Sequence, residues 1–267
     1  MDLESYLEKY QRSIINQLDK EYSLAKTARV KGLDVSTEVE IPLATDMADR
    51  VEELIGVPGI AKDIRKLSKE MTREELAIEI SRSVARKYPE AEKETALDKS
   101  VRVGLAILTE GISVAPLEGI SRIKINKNID GSTYASIVYA GPIRGAGATA
   151  QAMSVLITDI VRRDLGIGKF IATPEEEDRY IEEVQDYNRR KHLQYLPSKE
   201  EIREVVKKSP ICIDGEGSEE EEVSGHRDMQ RIETNRIRGG MCLVLCEGLI
   251  QKARKVKKYT DKLGLSE

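Results

Sequence analysis

The stretch SRIKINKNIDGSTYASIVYAGPIRGAGATAQA (Ser121–Ala152) holds the change of periodicity that decides the fold. Two alternating runs flank Asp130-Gly131, a dipeptide suited to the tight turn of an antiparallel hairpin. Behind the second run come Gly141, Pro142, Arg144, Gly145 and Gly147, and then an alanine-rich apolar helix that runs to Leu165. A glycine turn between strand and helix leaves three readings open. It is a dinucleotide loop, an anion site at a helix N-terminus, or a tight turn that lets strand and helix pack closely.

Outward from this stretch the pattern is helical. Residues 3–28 carry Leu3, Leu7, Tyr10, Ile14, Leu18 and Ala25 at three- and four-residue steps, with charged and polar residues between. Gly32, an extended run and Pro42 end that helix. Residues 45–111 read as successive helices, the first capped by Thr45, a later one by a Thr72/Glu75 capping box. GVPGIAKDI has the Gly56–Gly59 spacing of an RNA-binding glycine loop, but no three-stranded sheet surrounds it, so a helix–turn–helix corner is the better reading. Past Leu165, Pro174 and Ser198 open two more helices. A short ICID strand and a polar, mobile glutamate run follow, then one apolar helix, MCLVLCEGLIQKARKVKKYTDKL. The expected architecture is α+β and predominantly helical. Its small antiparallel sheet is built from the 120–140 hairpin and a strand near 211–213. Three segments result: an N-terminal amphipathic helix (1–30), a linker (31–44) and a helical α+β domain (45–267).

Composition bounds the function. Charged residues make up 34% and aromatic residues 4% of the chain, so aliphatic residues must build the core. The formal charge of −4 makes any polyanion site a matter of local clustering. Cys212, Cys242 and Cys246 are too few for a disulfide scaffold, and with only His192 and His226 beside them they read as buried thiols, not zinc ligands. The N-terminus lacks a signal pattern and no run approaches the about 18 apolar residues of a membrane span, which implies a cytoplasmic chain with no membrane partner.

The candidate chemistry is sparse. Gly145–Ala150 satisfies G-x-G-x-x-A, but the strand before it belongs to a hairpin, and Asp164, the acid about 20 residues on, lies on the helix. A free-standing nucleotide-cofactor domain is therefore the alternative reading. Arg144 beside a helix N-terminus makes an anion site, which Gly145, Gly147 and Thr149 would complete. RIETNRIRGG repeats that grammar with Arg231, Asn235, Arg236 and Arg238, and QKARKVKKYTDK adds Lys255 and Lys258 within six basic residues against one acid. Two such turns converging on one polyanion is the expectation. Asp214 and Glu216 alternate at a strand end but lack an anchored third acid, so no metal site is assigned. No catalytic constellation is found. Leu7, Tyr10, Ile14 and Leu18 form the stripe of a self-association or partner-binding arm, or pack on the chain's own domain.

The strings YAGPIRGAGATAQAMSVLITDIVRRDLGIGKF, HLQYLPSKEEI, CIDGEGSEEEEVSGHRDMQRIETNRIRGGMCLVLCEGL and the opening YLEKY resemble the large subunit of the archaeal family D DNA polymerase. The resemblance runs from end to end. It departs at Gly147-Ala148-Thr149, where that family usually has Gly-Gly-Thr. It implies the N-terminal portion of a replicative, DNA-directed DNA polymerase, a nucleotidyltransferase that works with a small subunit bearing a 3′–5′ exonuclease. Mg²⁺ is implied for the full polymerase and no cofactor for this portion, which alone would be inactive. In that family the catalytic aspartates form an Asp-x-Asp pair far downstream, and this sequence has none, so no catalytic residue carries over. The implied partners are DNA, the small subunit, the downstream domains of its own chain and further copies through the N-terminal helix.

Overall fold

A computed structural model describes residues 3–33, 44–262 and 264. The chain divides into two units, Met1–Leu43 and Ala44–Glu267. The first holds helix α1 (Leu3–Val30), on which Leu7, Tyr10, Ile14 and Leu18 are all exposed. Most of the expected linker, with Pro42, lies outside the described residues.

The second unit opens with four helices, α2 (Met47–Ile55), α3 (Ile60–Leu67), α4 (Arg73–Ala85) and α5 (Lys93–Leu108). The α2 cap is Asp46 rather than Thr45: its carboxylate accepts the Asp49 N–H at 2.9 Å, while the Thr45 hydroxyl bonds the Asp49 side chain. Asp46 stands three residues before the free amide of Asp49, the position from which a cap side chain reaches it, and its carboxylate also receives Arg65. The Thr72/Glu75 capping box forms as its spacing dictates. GVPGI is the corner between α2 and α3, stapled by the Ala61 N–H donating to Glu52 (2.6 Å). The apolar faces of α4 and α5 pack on each other and on the buried helix α7 (Gly147–Asp164), where every residue from Ala150 to Arg162 is buried.

After the short helix α6 (Ala115–Glu118), strands β1 (Ile120–Lys127) and β2 (Thr133–Tyr139) form the hairpin, paired Ile123 to Ile137 and Ile125 to Ala135. Asp130 accepts the Ser132 N–H (2.9 Å) and Gly131 takes the left-handed conformation at φ +84°. The third strand, β3 (Cys212–Gly215), sits on the other side of β2 and runs parallel to it, with Ser136 beside Cys212 and Tyr139 beside Gly215. The sheet is therefore mixed, not antiparallel. Three helices intervene between β2 and β3, namely α7, α8 (Pro174–Lys191) and α9 (Lys199–Lys208), and a crossover that long returns a strand in the same direction.

Two further expectations change. The glutamate run is pinned: Val223 N–H donates to Asn235 O (2.9 Å) and Ile237 N–H to Glu221 O (3.0 Å), so residues 221–223 pair with 235–237. The C-terminal apolar helix is broken into α10 (Gly239–Leu243), a π-helical turn (Val244–Ile250) and α11 (Ala253–Lys262). Among the described residues, no helix is long and apolar enough to cross a membrane.

Cys242 and Cys246 are buried and free, as is Cys212. Burial pushes the Cys212 thiol up to about 12 and holds that of Cys242 well above its usual value. At pH 8 all three thiols should resist iodoacetamide in the folded chain and react only in denaturant. Rapid alkylation of the native chain, read by mass, would contradict this packing.

Candidate functional site

Both glycine–arginine turns sit at the C-terminal end of β2. Residues Gly141–Ala146 form two turns of tight helix after Ala140, and α7 begins at Gly147 with φ +78°. The second turn, Arg238-Gly239-Gly240, lies against it: a Cβ at Gly240 would stand 2.5 Å from Tyr139 O and 2.9 Å from Ala140 N. Only glycine permits that approach. The two turns pack together, and their arginines part. Arg144 points outward, with 51% of its side chain exposed, while Arg238 points inward and is 1% exposed.

Arg238 belongs to a buried charge cluster on α8. Its Nη1 donates to Asp214 (2.6 Å), its Nη2 to Glu183 (2.8 Å), and its backbone N–H also to Glu183 (2.9 Å). The guanidinium lies 4.9 Å from the centre of the Tyr180 ring. Burial alone would favour loss of its proton, but the Glu183 and Asp214 carboxylates outweigh that and hold its pKa well above the ordinary value. Arg179, fully buried one turn before Glu183, donates to the same carboxylate (2.6 Å). Its other nitrogens hold His226 O and Thr234 O, both at 2.8 Å. Buried at 1% exposure, and with each guanidinium nitrogen already bonded to a carboxylate, Arg238 is closed to a phosphate. Asn235 is likewise committed, clasping Asp228 through its amide (2.8 Å) and its oxygen (2.8 Å). Arg231 pairs with Glu176 and stacks near Phe170, 5.2 Å from the ring centre. Of Arg231, Asn235, Arg236 and Arg238, only Arg236 is exposed.

Arg179 and Glu183 escape a reading that treats the charges of PEEEDRYIEEVQDY as solvated. The signal is their place on the stripe of Tyr180, Val184 and Tyr187, the buried face of α8.

The remaining candidates gather on the surface. Thr149, Ala152 and Met153 of α7 line a shallow depression with Lys252, Lys255 and Val256, so the α7 N-terminus faces the basic run. Lys255 is exposed and reaches Glu74 at 3.1 Å, and Lys258, on the next turn of α11, is exposed. Gly145 and Gly147 are exposed beside Thr149. A positive helix end, a hydroxyl and lysine ammoniums on one surface suit an oxyanion.

Other chemistries fit less well. A carboxylate for a dinucleotide ribose would stand at the end of the parallel neighbour strand, and the one there, Asp214, is held by Arg238. Asp164, the acid on the helix, pairs with Arg82 (2.7 Å). The pair considered for Mg²⁺ is also spent, Asp214 on Arg238 and Glu216 on the Ser121 hydroxyl. Among the described residues, no three acidic, histidine or cysteine side chains form a metal-holding group. These residues do not fit a divalent ion.

The family described as "DNA polymerase II large subunit DP2, N-terminal" matches residues 9–267. The chain is similar to the DNA polymerase II large subunit of Picrophilus torridus, 70% identical over 246 residues, covering 92% of this chain and 23% of that protein. It is similar to the same subunit of Thermoplasma volcanium, 64% identical over 261 residues (98% and 24%), and of Methanosarcina barkeri, 54% identical over 251 residues (93% and 22%). The chain spans about a quarter of the length of the curated relatives it matches.

Removing one member of the buried cluster strands the others without charge or acceptor. Glu183→Ala should cost about 3–5 kcal/mol of unfolding free energy, read from urea denaturation. A loss under about 1 kcal/mol, the range of an exposed pair, would refute the cluster's burial.

Proposed function

From the premise that this chain belongs to the family of DNA polymerase II large-subunit N-terminal regions, we propose that it guides DNA within a two-subunit, DNA-directed DNA polymerase and leaves the nucleotidyl transfer to other parts. The observation that carries this reading is the surface where the α7 N-terminus meets the basic run, with Arg144 on the turn before it. Phosphoryl transfer needs carboxylate-held Mg²⁺ and a basic channel that positions the backbone. The exposed groups suit the second task, and Glu183 and Asp214, both bonded to Arg238, do not suit the first.

The roles divide by exposure. Arg144, Thr149, Lys255 and Lys258 are the phosphate ligands, Gly145 and Gly147 let the backbone approach, and Arg236 extends the patch. Arg238 and Asn235 leave the DNA-binding set and hold the fold. The Mg²⁺ and the catalytic carboxylates belong to the full polymerase, the 3′–5′ exonuclease to its small subunit, and the setting is cytoplasmic. The exposed stripe of α1 is the contact for further copies or for the small subunit.

At low salt, Arg144→Ala and Lys255→Ala should each weaken binding to any duplex sequence and lower the slope of log K against log salt by about 0.9. An unchanged slope in both variants removes the phosphate role. Gel filtration of a chain lacking residues 1–30 should show a smaller species than the intact chain, and equal assembly states would remove self-association through α1.

A further inference from the structure

Glu247 lies in the π-helical turn between α10 and α11 and is 3% exposed. A π turn carries one more residue than an α turn and widens the helix locally. Here the widened turn seats Gly248 on α7, where a Cβ would stand 3.0 Å from Gln151 Cβ and 3.4 Å from Ala152 N. The same turn aims Glu247 at the glycine–arginine corner. Its Oε1 accepts the Gln194 N–H at 2.9 Å and stands 3.9 Å from Arg144 Nη2. That distance lies beyond a hydrogen bond, so Arg144 is attracted without being locked. The buried Tyr187 feels Arg144, Glu219 and Glu247 together, and burial pushes its hydroxyl up to about 12.

We propose that Glu247 is a built-in competitor for the phosphate taken by Arg144. The inference rests on the reading of Arg144 as a phosphate ligand. A fixed carboxylate behind the guanidinium repels an arriving phosphate and offers Arg144 a second partner when that phosphate leaves. The contact is thereby kept weak, which suits a backbone that must move past the site. Because Glu247 is buried, solvent screens this effect less than it would between two surface charges. The competition acts only through Arg144, since Lys255 is opposed by a different carboxylate, Glu74.

Glu247→Gln removes the charge and keeps an oxygen to accept the Gln194 N–H, so the turn should persist and the melting temperature should stay near that of the parent chain. Fluorescence anisotropy of a labelled short duplex at low salt should show Glu247→Gln binding about three- to tenfold tighter than the parent. The gain should vanish in the Glu247→Gln/Arg144→Ala pair, the mark of action through Arg144. Equal or weaker binding by Glu247→Gln, while Arg144→Ala weakens binding, overturns the competitor role and spares Arg144 as a ligand. Unchanged binding by Arg144→Ala overturns both. A gain that survives in the double variant also overturns the proposal, since the charge then acts on the whole surface.

Discussion

One carboxylate organises this molecule. Glu183, fully buried on α8, accepts hydrogen bonds from Arg179 on its own helix and from the side chain and backbone of Arg238 at the start of α10. Arg238 carries the link on to Asp214 at the end of β3, and Arg179 carries it to the carbonyls of His226 and Thr234. Helix, strand and long loop are thus joined by charges of which Arg179, Glu183 and Arg238 are buried and Asp214 is nearly so. Burying such charges is costly, and an apolar replacement of equal shape often serves stability as well or better. What the arrangement supplies is register: only one placement of Gly239 and Gly240 lets Arg238 satisfy both acids while Gly240 rests on the backbone of Tyr139.

That register has a functional consequence. It fixes the second glycine turn against the first, so the corner at Gly141–Gly147 stands on a rigid base and α7 presents its N-terminus at a set place. The arginine that does the anchoring is withdrawn from solvent, and the other, Arg144, is left open to it. Two turns with the same grammar thereby acquire opposite duties. The difference lies in the partners each side chain finds in three dimensions: two acids close on Arg238, and one fixed acid stands 3.9 Å from Arg144.

Local grammar made much of the fold legible. Asp130-Gly131 between alternating runs announces the hairpin, and Thr72/Glu75, Pro174 and Ser198 mark helix starts that the structure repeats. The predominantly helical α+β class follows from these. The direction of β3 did not, because pairing partners far apart in sequence are set by the crossover between them. The break after Leu243 was also hidden, since a π turn leaves the apolar pattern of VLCEGLI unbroken while altering its pitch. Of the candidate site, the α7 N-terminus and the lysine run were visible as separate features, but their meeting at Thr149 and Lys255 is a tertiary fact. Arg238 reads as a ligand because a sequence shows a cation without the buried acid that consumes it, and Asn235 because its bonds to Asp228 form only in the folded loop. Resemblance to the polymerase family supplied what the residues alone withheld.

The central claim is that the surface around Arg144, Thr149 and the α11 lysines meets the DNA backbone while the buried cluster only supports it. Hydrogen–deuterium exchange of the chain with and without duplex DNA at low salt tests this most directly. The account predicts new protection in peptides covering 144–151 and 252–258, with exchange at 179–184 and 236–241 unchanged. Protection confined to 235–239, or none at the α7 N-terminus, would contradict it.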